Sequence, residues 1–148
     1  MLVGATGSGK TSLANVLNNY GDGTDVHFEG CLAHQKGQEV RYGKHTIDVP
    51  GGYFENPWMY NHLIALAQNH ASHVLFVMGQ SQRSVAGAPG LATAFTCPVT
   101  GVITQSDVHS ENKNFCLKQL RHFGVSEPYF SVSVADGTGI SELITHLF

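Results

Sequence analysis

Apolar residues follow two spacings along this chain, and together they predict alternating strands and helices. Leu13, Val16 and Leu17 recur at helical intervals and predict a helix over residues 11–18. Residues 73–78, rich in apolar and β-branched side chains, predict a buried strand instead. Further strands are predicted at 38–42, 44–49, 98–104 and 129–134, and further helices at 57–69, 110–123 and 140–147.

This alternation determines the expected architecture. Strands separated by helices of about ten residues form parallel βαβ units. The pattern therefore predicts a three-layer α/β/α sandwich with a mainly parallel sheet, built as one domain over residues 1–148. Pro50, Gly51 and Gly52 are expected to break the strand at 44–49 sharply. Ser110 is expected to cap the helix at 110–123, and Gly124 to end it.

Composition and charge exclude several classes of protein. With 42% hydrophobic and 13% charged residues, the balance is that of a globular domain. The net charge of −3 leaves no basic stripe, so neither nucleic acid nor a membrane surface is an expected partner. Cys31, Cys97 and Cys116 are odd in number and widely spaced, which argues against disulfides and a zinc site. We expect a cytoplasmic protein.

Residues 4–11, G-A-T-G-S-G-K-T, match the phosphate-binding loop pattern G-x-x-x-x-G-K-[ST] at every fixed position. Its glycines let backbone N–H groups face inward at a helix N-terminus, where the dipole favours anions. Lys10 supplies a charge for the β- and γ-phosphates, and the hydroxyl of Thr11 can ligate Mg²⁺. The loop residues expected to hold a nucleoside triphosphate are Gly4, Ala5, Thr6, Gly7, Ser8, Gly9, Lys10, Thr11 and Ser12.

Three residues precede Gly4. The strand that leads into such a loop usually lies at the centre of the sheet and has about five residues. We therefore expect that a few upstream residues are missing from this chain.

The next candidate lies at the end of the strand at 44–49. Asp48-Val49-Pro50-Gly51 matches the signature D-x-x-G, in which the carboxylate reaches Mg²⁺ and the glycine amide faces the γ-phosphate. Thr11 and Asp48 are thus the predicted metal ligands, with Mg²⁺ accompanying GTP or ATP. Lys10, Asp48 and Gly51 are the predicted catalytic residues.

Two later strand ends suggest a base-binding site. Thr104-Gln105-Ser106-Asp107 stands where GTP-binding proteins carry N/T-K-x-D, and a carboxylate at Asp107 can accept the N1–H and N2–H₂ of guanine. Adenine does not offer that donor pair. Backbone N–H groups around Ser133 and Ala135 can meet the guanine O6. The residues predicted to contact the base are Thr104, Asp107, Ser133 and Ala135.

The order and spacing of these motifs resemble the Ras-like GTPase superfamily of P-loop NTPases. The run I-D-V-P-G-G-Y-F-E-N at 47–56 is similar to the corresponding run of the EutP/PduV family of ethanolamine- and propanediol-utilisation proteins. The similarity continues through Met59 and Tyr60, through 101–107, and through 127–130 and 133–143. It implies a GTPase-like fold and a role in bacterial microcompartment metabolism, with a shell or cytoskeletal protein as a partner. Some members of this family are assigned an acetate kinase activity, which would make ATP and acetyl phosphate the ligands.

The chain departs from the family pattern at three places. Lys36-Gly37-Gln38 replaces K-T-Q and lacks the hydroxyl expected to ligate Mg²⁺. Gln105 replaces the lysine of T-K-x-D, which should weaken guanine binding by ~1 to 3 kcal/mol through loss of a charged hydrogen bond. Gly52 stands where many members have Glu, so the nearest position for a water-orienting residue is empty. These departures predict slow or absent hydrolysis.

Three functions therefore remain open. The chain is a slow GTPase, a phosphotransferase between ATP and acetate, or a nucleotide-binding module without catalysis. The phosphotransferase would need a carboxylate-binding cation, for which Arg41 and Arg83 are the only candidates near predicted loops.

The histidines and aromatic residues suggest less. Nine histidines form no metal-binding motif, so we expect them at the surface or at element boundaries. Tyr53, Trp58 and Tyr60 follow Gly51 closely and form either local packing or a partner surface.

Overall fold

The computed structural model describes residues 1–20, 39–85 and 87–148, and its six strands form one sheet. The strand order is β2-β3-β1-β4-β5-β6. The strands are β1 Leu2–Val3, β2 Arg41–Tyr42, β3 Ile47–Asp48, β4 Val74–Gly79, β5 Val99–Thr104 and β6 Tyr129–Ser131. The helices are α1 Lys10–Asn18, α2 Gly51–Glu55, α3 Tyr60–His70, α4 Lys113–His122 and α5 Ile140–Leu147. The predicted departure at 36–38 and Cys31 lie outside the described residues.

Strand pairing is parallel throughout the described sheet except at one edge. β2 runs antiparallel to β3, while β1 pairs in parallel with β3 on one side and β4 on the other. The longest register joins β4 to β5, from Val74 opposite Val99 to Gly79 opposite Thr104. The predicted mainly parallel sheet is confirmed, and the carboxyl ends of β1, β3, β4 and β5 lie at the same edge.

Helices cover both faces of this sheet, as the three-layer prediction requires. On β4, the side chains of Val74, Phe76 and Met78 join one core cluster, while those of Leu75 and Val77 join the other. The first cluster is completed by residues of α2, α3 and α4, and the second by residues of α1 and α5. The alternation arises because successive strand side chains point to opposite faces.

Several boundaries differ from the predictions. The strands predicted at 38–42 and 44–49 are the short hairpin of β2 and β3, and the last strand ends at Ser131. The helix predicted at 57–69 begins with a 3₁₀ turn, Pro57–Met59, before α3. Ser110 does not cap α4, because a 3₁₀ turn at Ser110–Asn112 precedes it and Asn112 takes the cap position. Gly124 has φ of 83° directly after α4, as predicted for the residue that ends a helix.

The sequence pattern does not predict α2, since consecutive glycines disfavour a helix. Tertiary packing explains why this helix forms. Phe54 is 1% exposed, and its ring lies 5.4 Å from that of Phe76 and 5.3 Å from that of Phe123. Burial of this aromatic side chain stabilises by about 1.5–3 kcal/mol, which offsets the cost of about 1 kcal/mol for each of the two glycines of α2.

Among the helices of the described part of the chain, none is long and apolar enough to cross a membrane.

Candidate functional site

The loop between β1 and α1 has the conformation that its glycines predict. Gly7 and Gly9 have φ of 81° and 87°, in the left-handed region that glycine adopts without strain. Gly4 is required for another reason, since a Cβ there would lie 2.3 Å from the backbone oxygen of Val77 on β4. α1 begins at Lys10, so the loop stands at a helix N-terminus. The arrangement suits an anion.

Lys10 lies under this loop. Its side chain is buried, and Nζ donates to the carbonyl oxygen of Ala5 at 2.9 Å and to Oγ of Ser8 at 3.4 Å. Burial lowers the pKa of Lys10 from 10.5 to about 8, although the negative charges of Asp48 and Glu55 oppose the shift. The ammonium group is therefore mostly charged at neutral pH, and the nearby carboxylates offset only part of the cost of its burial.

Thr11 and Asp48, the two predicted metal ligands, are in contact. Thr11 Oγ1 donates to Asp48 Oδ2 at 2.7 Å, joining the first turn of α1 to the end of β3. Within the described residues, no group of three or more His, Cys, Asp or Glu side chains is placed to hold a metal ion. A hydroxyl and one carboxylate fit Mg²⁺, which takes one or two carboxylates from the protein and fills its octahedron with water and phosphate oxygens.

The predicted base-binding residues occupy two positions. Thr104 is buried, and its hydroxyl donates to the Ser8 carbonyl and to that of Met78 at 3.3 Å, so it fixes the phosphate loop rather than facing a base. Asp107 is exposed, and its Oδ1 accepts a hydrogen bond of 3.0 Å from the buried Ser133 hydroxyl. Ala135 is exposed nearby in the chain. The two strand ends that the sequence analysis paired are thus in contact.

Gln105, which replaces the expected lysine, has a left-handed backbone with φ of 58°. Its Oε1 accepts hydrogen bonds from the backbone N–H of Ser81, at 3.1 Å, and from the Ser81 hydroxyl. A Cβ built on Gly79 would lie 2.7 Å from that oxygen and 3.3 Å from Cα of Ser8. The glutamine therefore links the end of β5 to the residue pair that follows β4, close to Gly79, and Gly79 in turn lies close to Ser8 of the loop.

No sequence motif predicts a pair of amide side chains that hold the loop after β5. Gln80 is 1% exposed and donates through Nε2 to the carbonyl oxygens of Gln105, at 3.2 Å, and Val108, at 2.6 Å. Asn112 donates to the Gln80 carbonyl at 2.8 Å. No motif marks either residue, and only burial, which a single sequence does not reveal, distinguishes them from surface amides.

Two further side chains hold the phosphate loop from outside. Glu55 Oε1 accepts a 2.6 Å hydrogen bond from the backbone N–H of Thr6, and Gln82 Nε2 donates to the Thr6 carbonyl at 3.2 Å. Glu55 follows Gly51 by four residues, about one helical turn. If the sequence had predicted α2, this spacing would have placed the two residues on the same face of the helix.

Comparison with known proteins identifies the family. The model of the family described as "Ethanolamine utilisation - propanediol utilisation", PduV-EutP, matches residues 1–148. The chain belongs to the PduV-EutP family. It is 28% identical over 147 residues to the propanediol utilization protein PduV of Citrobacter freundii, covering 99% of this chain and 91% of that protein. It is 30% identical over 148 residues to the probable acetate kinase EutP of Salmonella typhimurium, covering 98% and 86%.

Solved structures place this PduV-EutP chain in a wider fold group. S. thermophilus NFeoB bound to GDP·AlF₄⁻ superimposes with a TM-score of 0.60 at 20% identity, over 97% of this chain and 61% of that one. Bacterial selenocysteine-specific elongation factor EF-Sec gives 0.61 at 19% identity, over 99% of this chain and 27% of that one. The chain therefore spans about three-fifths of the NFeoB chain and about a quarter of the EF-Sec chain. The similarity confirms the predicted α/β fold of P-loop GTPases.

Replacing Gly52 of this PduV-EutP protein with alanine is expected to raise the free energy of unfolding by about 0.5–1 kcal/mol. Gly52 lies in α2, where alanine is the better helix former, and the nearest atom to an added Cβ is Asn56 Nδ2 at 3.7 Å. Urea unfolding followed by circular dichroism measures the change. Gly51→Ala is the matched control: its Cβ would lie 2.3 Å from the Thr6 nitrogen, so that variant should lose stability. Equal stabilities would contradict the expectation.

Proposed function

We propose that this protein binds a magnesium nucleotide at the loop of residues 4–11 and acts as a GTPase-type protein of ethanolamine or propanediol utilisation. The observation that carries the proposal is the contact of Thr11 with Asp48 at 2.7 Å, beside the buried Lys10. Lys10 and Thr11 begin α1 after β1, and Asp48 ends β3. Together they supply the hydroxyl, carboxylate and ammonium that a nucleotide with Mg²⁺ needs.

Each residue then has a distinct part. Lys10 neutralises the β- and γ-phosphates, and the N–H groups of the loop orient them at the start of α1. Thr11 and Asp48 hold Mg²⁺, which when bound spreads the charge that develops on the transferring phosphoryl group. Gly51 packs against Thr6, and its N–H would be the donor to the outermost phosphate. The side chain at 52 is only a hydrogen, so nothing there orients water and hydrolysis is slow.

Asp107 supports guanine as the base. Ser133 donates to Oδ1 and thereby orients the carboxylate, which leaves Asp107 facing solvent at the end of β5. A carboxylate there accepts from guanine N1–H and N2–H₂, whereas adenine presents no such pair. Gln105 takes the lysine's place with a neutral side chain that is hydrogen-bonded to Ser81, so the preference for guanine is weaker than a lysine would give.

A second candidate is phosphoryl transfer between ATP and acetate. The relative named probable acetate kinase EutP, at 30% identity over 98% of this chain, favours it. The roles of Lys10, Thr11 and Asp48 toward phosphate and Mg²⁺ would be unchanged. Asp107 would then contribute nothing to the choice between guanine and adenine nucleotides. We place the protein in the cytoplasm, at a microcompartment where a shell or cytoskeletal protein is its partner, in line with its family.

Calorimetric titration with GTP, GDP, ATP and ADP, each with Mg²⁺ at one salt concentration, tests these proposals. Guanine favoured by tenfold or more supports the GTPase proposal, equal or adenine-favoured binding supports phosphoryl transfer, and no binding contradicts both.

Asp107→Asn is expected to weaken GTP binding by about tenfold or more and to strengthen xanthosine triphosphate binding. An amide leaves one guanine donor without an acceptor, which costs about 1–3 kcal/mol, and it offers xanthine the donor that a carboxylate lacks. The same titration measures both affinities. Glu142→Gln, exposed on α5, removes an equal charge and should change neither. Unchanged affinities in Asp107→Asn would remove the base-binding role.

A further inference from the structure

The last residue of α2 places a carboxylate on the phosphate loop. Glu55 Oε1 accepts a hydrogen bond of 2.6 Å from the backbone N–H of Thr6. Thr6 is exposed within the loop and is one of the residues predicted to hold a nucleotide. A carboxylate on an N–H of this kind makes a charge-assisted bond, which is shorter and stronger than a neutral one. A protein anion therefore occupies a donor of the anion-binding loop.

The same carboxylate contributes to the field at Lys10. Glu55 acts with Asp48 to raise the pKa of Lys10 against the effect of burial. The Glu55 charge thus interacts with both the N–H group and the cation that would receive phosphate.

The packing of α2 against the loop determines which end of the loop Glu55 contacts. Gly51 lies so close to Thr6 that a Cβ would come within 2.3 Å of the Thr6 nitrogen, and Gly51 carries the N–H assigned to the γ-phosphate. Glu55 lies one helical turn after Gly51, and the buried Phe54 between them anchors α2 to the core. The contact thus lies beside the Gly51 N–H to which the proposed function assigns the γ-phosphate.

We propose that Glu55 is a specificity-determining residue that competes with the outermost phosphate for the Thr6 N–H and so disfavours triphosphate relative to diphosphate. This inference rests on the proposed nucleotide binding. A triphosphate must displace the carboxylate, whereas a diphosphate, which ends before this position, leaves it in place. Displacement also moves the end of α2 and the following turn, which carries Trp58, 74% exposed and the single tryptophan of the chain.

The affinity test compares the wild type with Glu55→Gln and Glu55→Ala, using the non-hydrolysable triphosphates of guanosine and adenosine and the matching diphosphates, all with Mg²⁺. If the carboxylate occupies the N–H in about nine-tenths of molecules, its removal raises triphosphate affinity about tenfold. We expect three- to tenfold for the triphosphates, more for alanine than for glutamine, and less than twofold for the diphosphates. Glu127→Gln removes an exposed carboxylate that lies 3.7 Å from Arg121 and should have no effect.

Trp58 gives a second readout. Triphosphate should change its fluorescence in the wild type and change it much less in Glu55→Ala, where the contact is already absent. Unchanged or weaker triphosphate binding in both Glu55 variants, or an equal gain for diphosphates, overturns the proposal.

A measurement without nucleotide separates this inference from the proposed function. The Thr6 N–H resonance in a ¹H–¹⁵N spectrum of the nucleotide-free wild type should lie downfield of its position in Glu55→Ala, as a charge-assisted bond requires. Identical shifts show that the contact is absent and overturn the inference whatever the nucleotide affinity. A different outcome is that the wild type shows the shift but neither it nor Glu55→Ala binds nucleotide. That outcome contradicts the proposed nucleotide binding and, with it, the proposed competition between Glu55 and phosphate.

Discussion

Replacing Lys10 with methionine is expected to weaken triphosphate binding on the order of 100-fold and at the same time to stabilise the nucleotide-free protein. The loss follows from removal of a charged hydrogen-bond donor worth about 1.5–3 kcal/mol to phosphate. Methionine keeps the apolar stem, so the loop loses its charge with little change in packing. Titration calorimetry with the magnesium triphosphates measures the affinity. Lys118→Met, exposed on α4, is the control and should bind as the wild type does.

The gain in stability follows from the depressed pKa of Lys10. Its pKa is about 8 in the folded protein against 10.5 ordinarily, so the charged form costs folding about 3 kcal/mol at pH 7. Between these values the unfolded chain binds more protons, so Lys10 makes the wild type more stable as pH rises from 8 to 10.5. Below pH 8 the cost is fully present.

Urea unfolding at pH 7 and pH 10 tests this cost. Lys10→Met should be more stable than the wild type by about 1–3 kcal/mol at pH 7, less than the full cost because the Ala5 carbonyl loses its donor. The difference should shrink at pH 10. Comparing the two proteins cancels the titration of other groups. A variant less stable than the wild type at both pH values would show that the ammonium group is well compensated.

Gly4→Ala is expected to destabilise the protein by about 3 kcal/mol or more. Its Cβ would come 2.3 Å from the carbonyl oxygen of Val77, a backbone atom of β4. Because β4 is paired with a strand on each side, its backbone cannot move without disturbing those pairings. Overpacking of this kind costs about 1–3 kcal/mol, and more when backbone must move. Urea unfolding at pH 7 measures the loss, which is large against a typical total of about 5–15 kcal/mol.

Gly7→Ala separates this steric effect from backbone conformation. Gly7 has φ of 81° and nothing within 4 Å of an added Cβ, so alanine meets left-handed strain alone, about 1–2 kcal/mol. We therefore expect Gly4→Ala to cost more than Gly7→Ala. The reverse order would mean that β1 and β4 can separate at this point.

The sequence alone indicated the family, the fold group and the first members of the site. The loop motif and the signature at Asp48 identify themselves by short-range spacing. Their contact was predictable too, because residues that follow neighbouring parallel strands meet at one edge of a sheet. β1 pairs with β3 with Leu2 opposite Asp48, and Thr11 reaches Asp48 as expected. It stays a prediction that Lys10, Asp107 and the other site residues bind nucleotide.

Other features required the tertiary structure. Pro50, Gly51 and Gly52 predict the end of a strand, and β3 does end at Asp48. The helix α2 that follows is not predicted, and it forms because Phe54 packs between Phe76 and Phe123, residues far away in the sequence. Once α2 exists, Glu55 reaches Thr6, a contact across 49 positions that no local pattern encodes.

The sequence by itself determined the phosphate loop, the alternation of strands and helices, and the order of the motifs, because these depend on local propensity and on periodicity over a few residues. Only the tertiary structure decided which side chains hold the phosphate loop and which backbone conformation Gln105 adopts. It also decided the burial and the neighbouring carboxylates that set the pKa of Lys10. Burial and contact between distant segments control those features, and both arise only when the whole sheet is assembled.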